Sequence, residues 1–178
     1  MHLEGSHILP ASSSTIWTLL MDPEILAKVT PGITDLEPTG DDTFKAISKV
    51  KIGPVNGAFS GTVQIVDKVE GESFGLKIKQ KSKIGNVSAE GAIQLIPQTP
   101  KETEVKFEGD AKLSGTLART GQRVVSGVAR TLTNQFFKDL EAEIEVINIE
   151  EPETSTASDN LWSRFMNWLK NIFGAKSS

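Results

Sequence analysis

The hydrophobic pattern of this chain changes its period once, and that change constrains the fold more than any other feature. Between residues 33 and 113, apolar and polar residues alternate with a period of two, which predicts β-strands. After Gly115 the apolar residues recur with the 3.6-residue period of an α-helix. One face of a sheet and one stripe of a long helix each need an apolar partner. The pattern therefore predicts an α+β fold in which a curved antiparallel sheet wraps around one long helix.

Five strands are predicted in the alternating region, at residues 43–52, 58–66, 74–84, 87–96 and 102–112. In the first of them Lys45, Lys49 and Lys51 alternate with apolar or small residues. Charged side chains on one register require water on that side, so the sheet is expected to have one solvated face.

The segment before the sheet predicts one strand and two short helices. Residues 2–9 form the strand, which Pro10 ends, and the serines at 12–14 can cap a helix through Ile16 and Leu20. Asp22-Pro23-Glu24 then has the N-cap, proline and acidic first turn of a second helix, which Pro31-Gly32 ends. The chain is expected to open as β-α-α.

The long helix is expected to span roughly 25 residues and to place one broad apolar stripe against the sheet. The stripe consists of Val124, Val125, Val128, Ala129, Leu132, Phe136, Leu140 and Ile144.

Composition and motifs exclude several classes of function. The net charge is −4, which argues against nucleic acid, and the chain has no Cys to serve as nucleophile or zinc ligand. No metalloprotease, hydrolase, P-loop or dinucleotide motif is present, and no Tyr. His2 is expected to be frayed. His7 could contact a ligand, although a histidine on a terminal strand is more often a surface or core residue. We therefore nominate no catalytic residue and no metal ligand, and expect a protein that is not an enzyme.

The inward register of the sheet suggests a site for an apolar ligand, because small residues interrupt the large ones there. Either these small residues leave a cavity between helix and sheet, or they allow close approach and bending of the backbone. The candidate lining residues are Phe44, Ala46, Phe59, Gly61, Val63, Ile78, Ala89, Gly91, Ile93 and Phe107 of the sheet, with Val125, Val128, Leu132 and Phe136 of the helix. Such walls suit a lipid, a terpenoid or a quinone.

A linker and a second amphipathic helix are expected after the domain, which we place at residues 1–147. Residues 148–160 are too poor in large apolar groups to fold and predict a flexible linker. Residues 161–173 then predict a helix of about 20 Å, too short for a bilayer of about 30 Å. Its polar side carries Arg164 and Lys170. The expected membrane-binding residues are Leu161, Trp162, Phe165, Trp168, Leu169, Lys170, Ile172 and Phe173.

The tail helix has two alternative interpretations, in which it docks on the domain or binds a groove of a partner protein. Its aromatic residues and its cations without acids favour the headgroup region of a membrane. No stretch of about 20 apolar residues and no secretory signal pattern is present, so we expect a cytoplasmic protein peripheral on the inner face of the cell membrane.

Several short motifs occur in an order that resembles the CoxG family of carbon monoxide dehydrogenase subunits. They are Ile16-Trp17, Asp22-Pro23-Glu24, Pro31-Gly32, residues 51–55 (KIGPV), Phe59-Ser60-Gly61, Gly121, Gly127-Val128-Ala129 and Gln135-Phe136-Phe137. The resemblance covers roughly residues 1–147, a whole domain by ordinary size.

The resemblance implies the START-like helix-grip (SRPBCC) fold with a hydrophobic cavity. It also implies a role in tethering a molybdenum carbon monoxide dehydrogenase to the membrane or handing it a quinone. Our hypothesis from it is a non-enzymatic carrier of an isoprenoid quinone, of the menaquinone or ubiquinone type, with no covalent cofactor. The alternatives are a membrane-recruiting adaptor without a ligand and, ranked third, a polyketide cyclase-like enzyme.

Overall fold

A computed structural model describes residues 1–150 of the 178-residue chain. The predicted tail helix at 161–173, and the predicted linker after residue 150, lie outside the described residues. The chain divides into two units, Met1–Ala142 and Glu143–Ser178, and the site described below belongs to the first. Within residues 1–150, no helix combines the length and apolarity needed to cross a membrane.

The β-α-α opening is confirmed. Strand β1 is His2–Leu9, helix α1 is Ser13–Leu20 and helix α2 is Pro23–Val29. The hydroxyl of Ser12 accepts a hydrogen bond from the backbone N–H of Thr15, and the carboxylate of Asp22 accepts from the first turn of α2. These side chains satisfy amide groups that have no partner within a helix, which fixes where each helix begins.

Seven antiparallel strands form one sheet in the order β1-β7-β6-β5-β4-β3-β2. The six strands after β1 are β2 (Ile33–Gly40), β3 (Thr43–Ile52), β4 (Val55–Val69), β5 (Ser73–Ser82), β6 (Gly85–Thr99) and β7 (Glu102–Leu113). The five strands predicted from the alternation are therefore confirmed, with ends that move by a few residues. Consecutive strands from β2 to β7 pair as neighbours, and β1 closes against β7.

Strand β2 is not among the five strands that the alternation predicts. It contains Pro38, which cannot donate a ladder hydrogen bond, and its pairing with β3 is interrupted on either side of Leu36. Both irregularities are tolerated because β2 is an edge strand. Its alternation is weak for the same reason, since most of its residues are exposed.

The long helix is preceded by a short one that the sequence pattern does not separate. Helix α3 is Gly115–Thr120 and helix α4 is Gln122–Glu150, with Gly121 between them at a φ of 100°. That left-handed conformation suits glycine and interrupts the helical path. Helix α4 has 29 residues and ends at Glu150, so it includes residues 148–150 of the predicted linker.

The apolar stripe of α4 differs from the prediction at two positions. Val124 is 39% exposed, so it does not belong to the buried face. Phe137, which is absent from the predicted stripe, is 5% exposed. Phe137 lies three residues before the buried Leu140, a spacing that puts both on one side of a helix.

Two buried regions lie at opposite ends of the concave face of the sheet. We call the first the Phe59 cluster, formed by Val55, Phe59, Leu117 and Val128. We call the second the Thr103 end, formed by the cross-strand pairs Leu9–Thr103 and Leu95–Val105. Thr103 is fully buried, and its hydroxyl donates a 2.8 Å hydrogen bond to the carbonyl of Ala11.

Candidate ligand-binding site on the concave face

The strand register places all ten predicted sheet residues on one face. Residues directly opposite each other in neighbouring strands share a face, as do residues two apart along a strand. Val63 pairs with Ile78, and Ile78 pairs with Ala89. Phe44 pairs with Val63, Ala46 pairs with Gly61, and Ile93 pairs with Phe107. Phe59 lies two residues before Gly61, and Gly91 lies two residues after Ala89, so both are on the same face.

Along β4, β5 and β6 this face is closed at both ends and more exposed in its middle, whereas Phe44 and Ala46 of β3, in the same cross-strand rows, are buried. In β4, Phe59 and Ile65 are each 6% exposed, whereas Val63 between them on the same face is partly exposed. In β6, Leu95 is buried, but Ala89, Gly91 and Ile93 are partly exposed. The side chains of the middle positions of β4 and β6 are therefore covered less completely than those at the two ends.

We call the partly exposed part on β4, β5 and β6 the middle rows, defined by the cross-strand sets Gly61–Gln80–Val87 and Val63–Ile78–Ala89. Four of their members are predicted site residues, namely Gly61, Val63, Ile78 and Ala89. Of the other predicted sheet residues, Phe44, Ala46 and Phe59 are buried, while Gly91, Ile93 and Phe107 are partly exposed.

The four predicted helix residues also fall on the side of α4 that meets the sheet. Val125 and Val128 are buried, and Leu132 and Phe136 are partly exposed. Val128 belongs to the Phe59 cluster, and Leu132 packs against that cluster. Toward the Thr103 end, the contact with the sheet is made by Phe137, whose ring centroid lies 5.7 Å from that of Phe107.

Three glycines of the concave face, Gly61, Gly91 and Gly109, are positions of close backbone approach. A Cβ at Gly61 would overlap the backbone carbonyl of Lys79 in β5. Gly91 and Gly109 are cross-strand partners, and a Cβ on either would lie 3.0 or 2.8 Å from a carbonyl oxygen of the other strand. Of the two interpretations left open above, the glycines support close approach within a bent sheet.

His7 lies on the concave register of β1. Its ring stacks on Phe137 with centroids 4.9 Å apart, and its Nε2 lies 3.8 Å from the Oε2 of Glu141. His7 is thus a partly exposed member of the aromatic group at the Thr103 end. Its side chain is 41% exposed, which leaves it reachable from solvent.

His2 is ordered, so the expectation that it would be frayed is wrong. Its Nδ1 lies 3.0 Å from the Oδ1 of Asp110 on the neighbouring strand. That hydrogen bond raises the pKa of His2 above its ordinary value of 6.5. His2 lies on the convex register, away from the middle rows.

One polar residue of the middle rows, Gln80, is absent from the predicted site. Strand β5 carries Lys77, Lys79 and Lys81 on one register, and a glutamine among lysines looks like another solvated residue. The register of β5 could have identified it, since Gln80 alternates with those lysines and shares a face with Ile78.

Two open depressions, of about 450 and 270 Å³, lie mainly on the convex face. The larger one is lined largely by outward residues, which are Glu4, Ser6, Ala92, Gln94, Lys106 and Glu108. The smaller one also has charged walls, from Asp67, Lys77 and Glu90. Charged residues line both depressions, which makes them less suitable for a wholly apolar ligand.

Comparison with known proteins gives one family and a group of related folds. The family model for CoxG, described as a subunit of carbon monoxide dehydrogenase, matches residues 5–145. None of the curated protein sequences matches this chain. A crystal structure of a conserved protein from Geobacillus kaustophilus is 32% identical, with a TM-score of 0.80 over 82% of this chain and 95% of that one.

More distant structures share the fold. A START superfamily protein from Mycobacterium smegmatis is 16% identical, with a TM-score of 0.66 over 82% of this chain and 98% of its own. The Zhui aromatase/cyclase from Streptomyces sp. R1128 is 12% identical, with a TM-score of 0.64 over 82% and 93%. At these identities the likeness establishes the START-type helix-grip fold that was predicted.

Proposed function

Because this chain belongs to the CoxG family of carbon monoxide dehydrogenase subunits, we propose that it is a non-enzymatic carrier of a hydrophobic ligand that serves such a dehydrogenase or a related oxidoreductase. The ligand in this proposal is an isoprenoid quinone, held between α4 and the middle rows. The carrier would connect the oxidoreductase to the electron-transport chain of the membrane.

The observation that carries the proposal is the open middle of the concave face. Val63, Ile78 and Ala89 are apolar, face the helix and remain partly exposed between two buried ends. Apolar surface facing a covering element is normally packed to the density of an organic crystal. A stretch that stays accessible therefore suits an apolar occupant, and a prenyl chain has the required chemistry.

The energetics favour a carrier for such a molecule. Each buried methylene contributes about 0.8 kcal/mol, so a prenyl chain leaves a membrane only for another apolar environment. A water-soluble oxidoreductase that reduces quinone needs either such an environment or contact with the bilayer.

The tail helix belongs to the proposal as a membrane contact. The sequence pattern predicts a helix with Trp162, Phe165 and Trp168 on one face, residue types that favour the headgroup region, and with Arg164 and Lys170 on the other. A helix with so few cations anchors weakly and reversibly, which matches a carrier that visits the membrane. The protein would then be peripheral on the inner face of the cell membrane.

The first test is native mass spectrometry, with organic extraction, of the full chain purified from its own host. We expect one prenylated quinone per chain. A chain that carries no ligand and also fails to bind added short-chain quinone would refute the carrier and leave the membrane-recruiting adaptor as the better account.

The second test concerns the tail. In the full chain, Trp162→Ser with Trp168→Ser should slow the extraction of quinone from anionic liposomes several-fold, because both side chains belong to the apolar face. Asn167→Ser, on the polar side, is the matched control. Equal extraction rates for all three proteins would rule out the membrane role of the tail.

A further inference from the structure

Gln80 is a polar residue in an otherwise apolar part of the concave face. Its cross-strand neighbours are Gly61 on one side and Val87 on the other, and Ile78 lies two residues before it on the same face. Since Gly61 has no side chain, the residue directly opposite Gln80 in β4 contributes only backbone. Val87 packs against the Phe59 cluster, so Gln80 lies where the closed end gives way to the middle rows.

The side-chain carbonyl oxygen of Gln80 is shielded from solvent and has no hydrogen-bond partner among the described residues. Thr103 provides the comparison on the same face, because its buried hydroxyl is satisfied by the carbonyl of Ala11. Buried polar atoms in folded proteins are nearly always paired, and an unpaired one needs an explanation. The described residues therefore leave the carbonyl oxygen of Gln80 without a hydrogen-bond donor.

We infer that Gln80 is the polar anchor of the ligand site and hydrogen-bonds an oxygen on the ring of the bound molecule. This inference rests on the proposed carrier function and specifies the ligand further. The ligand must combine a long apolar part for the middle rows with an oxygen-bearing head group at Gln80. Neither a pure hydrocarbon nor a lipid whose polar group stays in water could form a hydrogen bond with the amide of Gln80.

A primary amide also suits a molecule that is carried in two oxidation states. Its Nε2 donates to the carbonyl oxygen of a quinone, and its Oε1 accepts from the hydroxyl of the corresponding hydroquinone. Rotation of the amide exchanges the two atoms without moving the backbone. A carboxylate at this position could only accept, and an ammonium could only donate. The glutamine thus permits one site to hold the molecule before and after reduction.

The test compares two probes on the full chain by equilibrium dialysis. One probe is a naphthoquinone with a short prenyl chain, and the other is the same prenylated naphthalene without ring oxygens. The variants are Gln80→Met, which keeps the length and removes the polar group, and Gln64→Met, a matched control for an exposed glutamine on the convex register of β4. The unaltered chain should bind the quinone about tenfold more tightly than the hydrocarbon, the worth of one net hydrogen bond.

Gln80→Met should weaken binding of the quinone probe and leave binding of the hydrocarbon probe unchanged, so the preference for the quinone disappears. Gln64→Met should keep the preference. Gln80→Met should also melt no lower than the unaltered chain, because it removes an unpaired buried carbonyl. A preference that survives Gln80→Met would overturn the inference, as would a clearly lower melting temperature, which would assign Gln80 a structural role.

Failure of the inference can be distinguished from failure of the carrier function. If the unaltered chain binds both probes equally, the carrier stands and the anchoring role of Gln80 is wrong. If the unaltered chain binds neither probe, the carrier function itself is wrong, and the anchor with it.

Discussion

The two ends of the concave face and its middle are built from the same kinds of residue, yet they are packed differently. Phe59 in the Phe59 cluster and Val105 at the Thr103 end are buried, at 6% and 2% exposure. Val63 and Ile78 in the middle rows are equally apolar and equally inward, but they remain partly exposed. The difference lies in what covers them, since Leu117 of α3 and Val128 of α4 pack in the Phe59 cluster.

The comparison separates two uses of apolar surface. At the ends, burial stabilises the fold and sets the position of α4 on the sheet. In the middle, the same side chains contribute less to folding and remain available for binding. Stability and ligand affinity should therefore respond to different substitutions.

The largest effect on stability is expected for Phe59→Ala. Removing a buried phenylalanine from the Phe59 cluster should cost about 3–5 kcal/mol of unfolding free energy. Ile78→Ala in the middle rows should cost about 1–2 kcal/mol, since part of that side chain is already exposed. Urea unfolding of both variants measures the difference, and equal losses would contradict the distinction between end and middle.

Gly61→Ala should have the next largest effect, about 1–3 kcal/mol, because the new Cβ meets the backbone of Lys79, which can move only with β5. Gly57→Ala is the matched control on the same face of β4. Its Cβ would lie 3.3 Å from the end of the Ile84 side chain, which can turn away. Thermal unfolding should rank Gly61→Ala well below Gly57→Ala, and the reverse order would exclude close approach at Gly61.

Ala89→Leu tests the open space directly. The larger side chain should change the unfolding free energy by less than about 1 kcal/mol, because it enters space that α4 does not fill, while binding of the quinone probe falls about tenfold. Ala58→Leu, on the exposed convex register of the same sheet, should change neither property. If Ala89→Leu instead costs the roughly 1–3 kcal/mol typical of an overpacked core, the middle rows are closed.

The smallest effect is expected on the convex face. The hydrogen bond from His2 to Asp110 raises the pKa of His2, so this pair favours the folded state most below pH 6.5, and the contribution is lost as the pH rises through the folded-state pKa. Asp110→Asn should lower the pKa of His2 toward its ordinary value, as an NMR titration of the imidazole would measure. Ligand binding should stay unchanged, and a loss of binding would show that the two faces are coupled.

Much of the fold could be predicted because its signals are local. The caps at Ser12 and Asp22 and the alternation of β3 depend on residues close together in the chain, and all three are observed. The prediction of strands failed where pairing between distant residues stabilises a segment whose local pattern is weak. Strand β2 is a strand because it pairs at the edge with β3, although Pro38 argues against it locally.

The candidate site divides in the same way. The sequence determined which residues face inward, because a period of two fixes the face of every side chain once a strand forms. It could not determine which inward residues are covered, since coverage depends on where α4 lies relative to each row. The tertiary structure alone decided that Phe137 packs on Phe107, that Ala89 stays open, and that Gln80 keeps an unpaired carbonyl. The physical reason is that periodicity is a property of neighbouring residues, whereas burial is set by contacts between residues far apart in the chain.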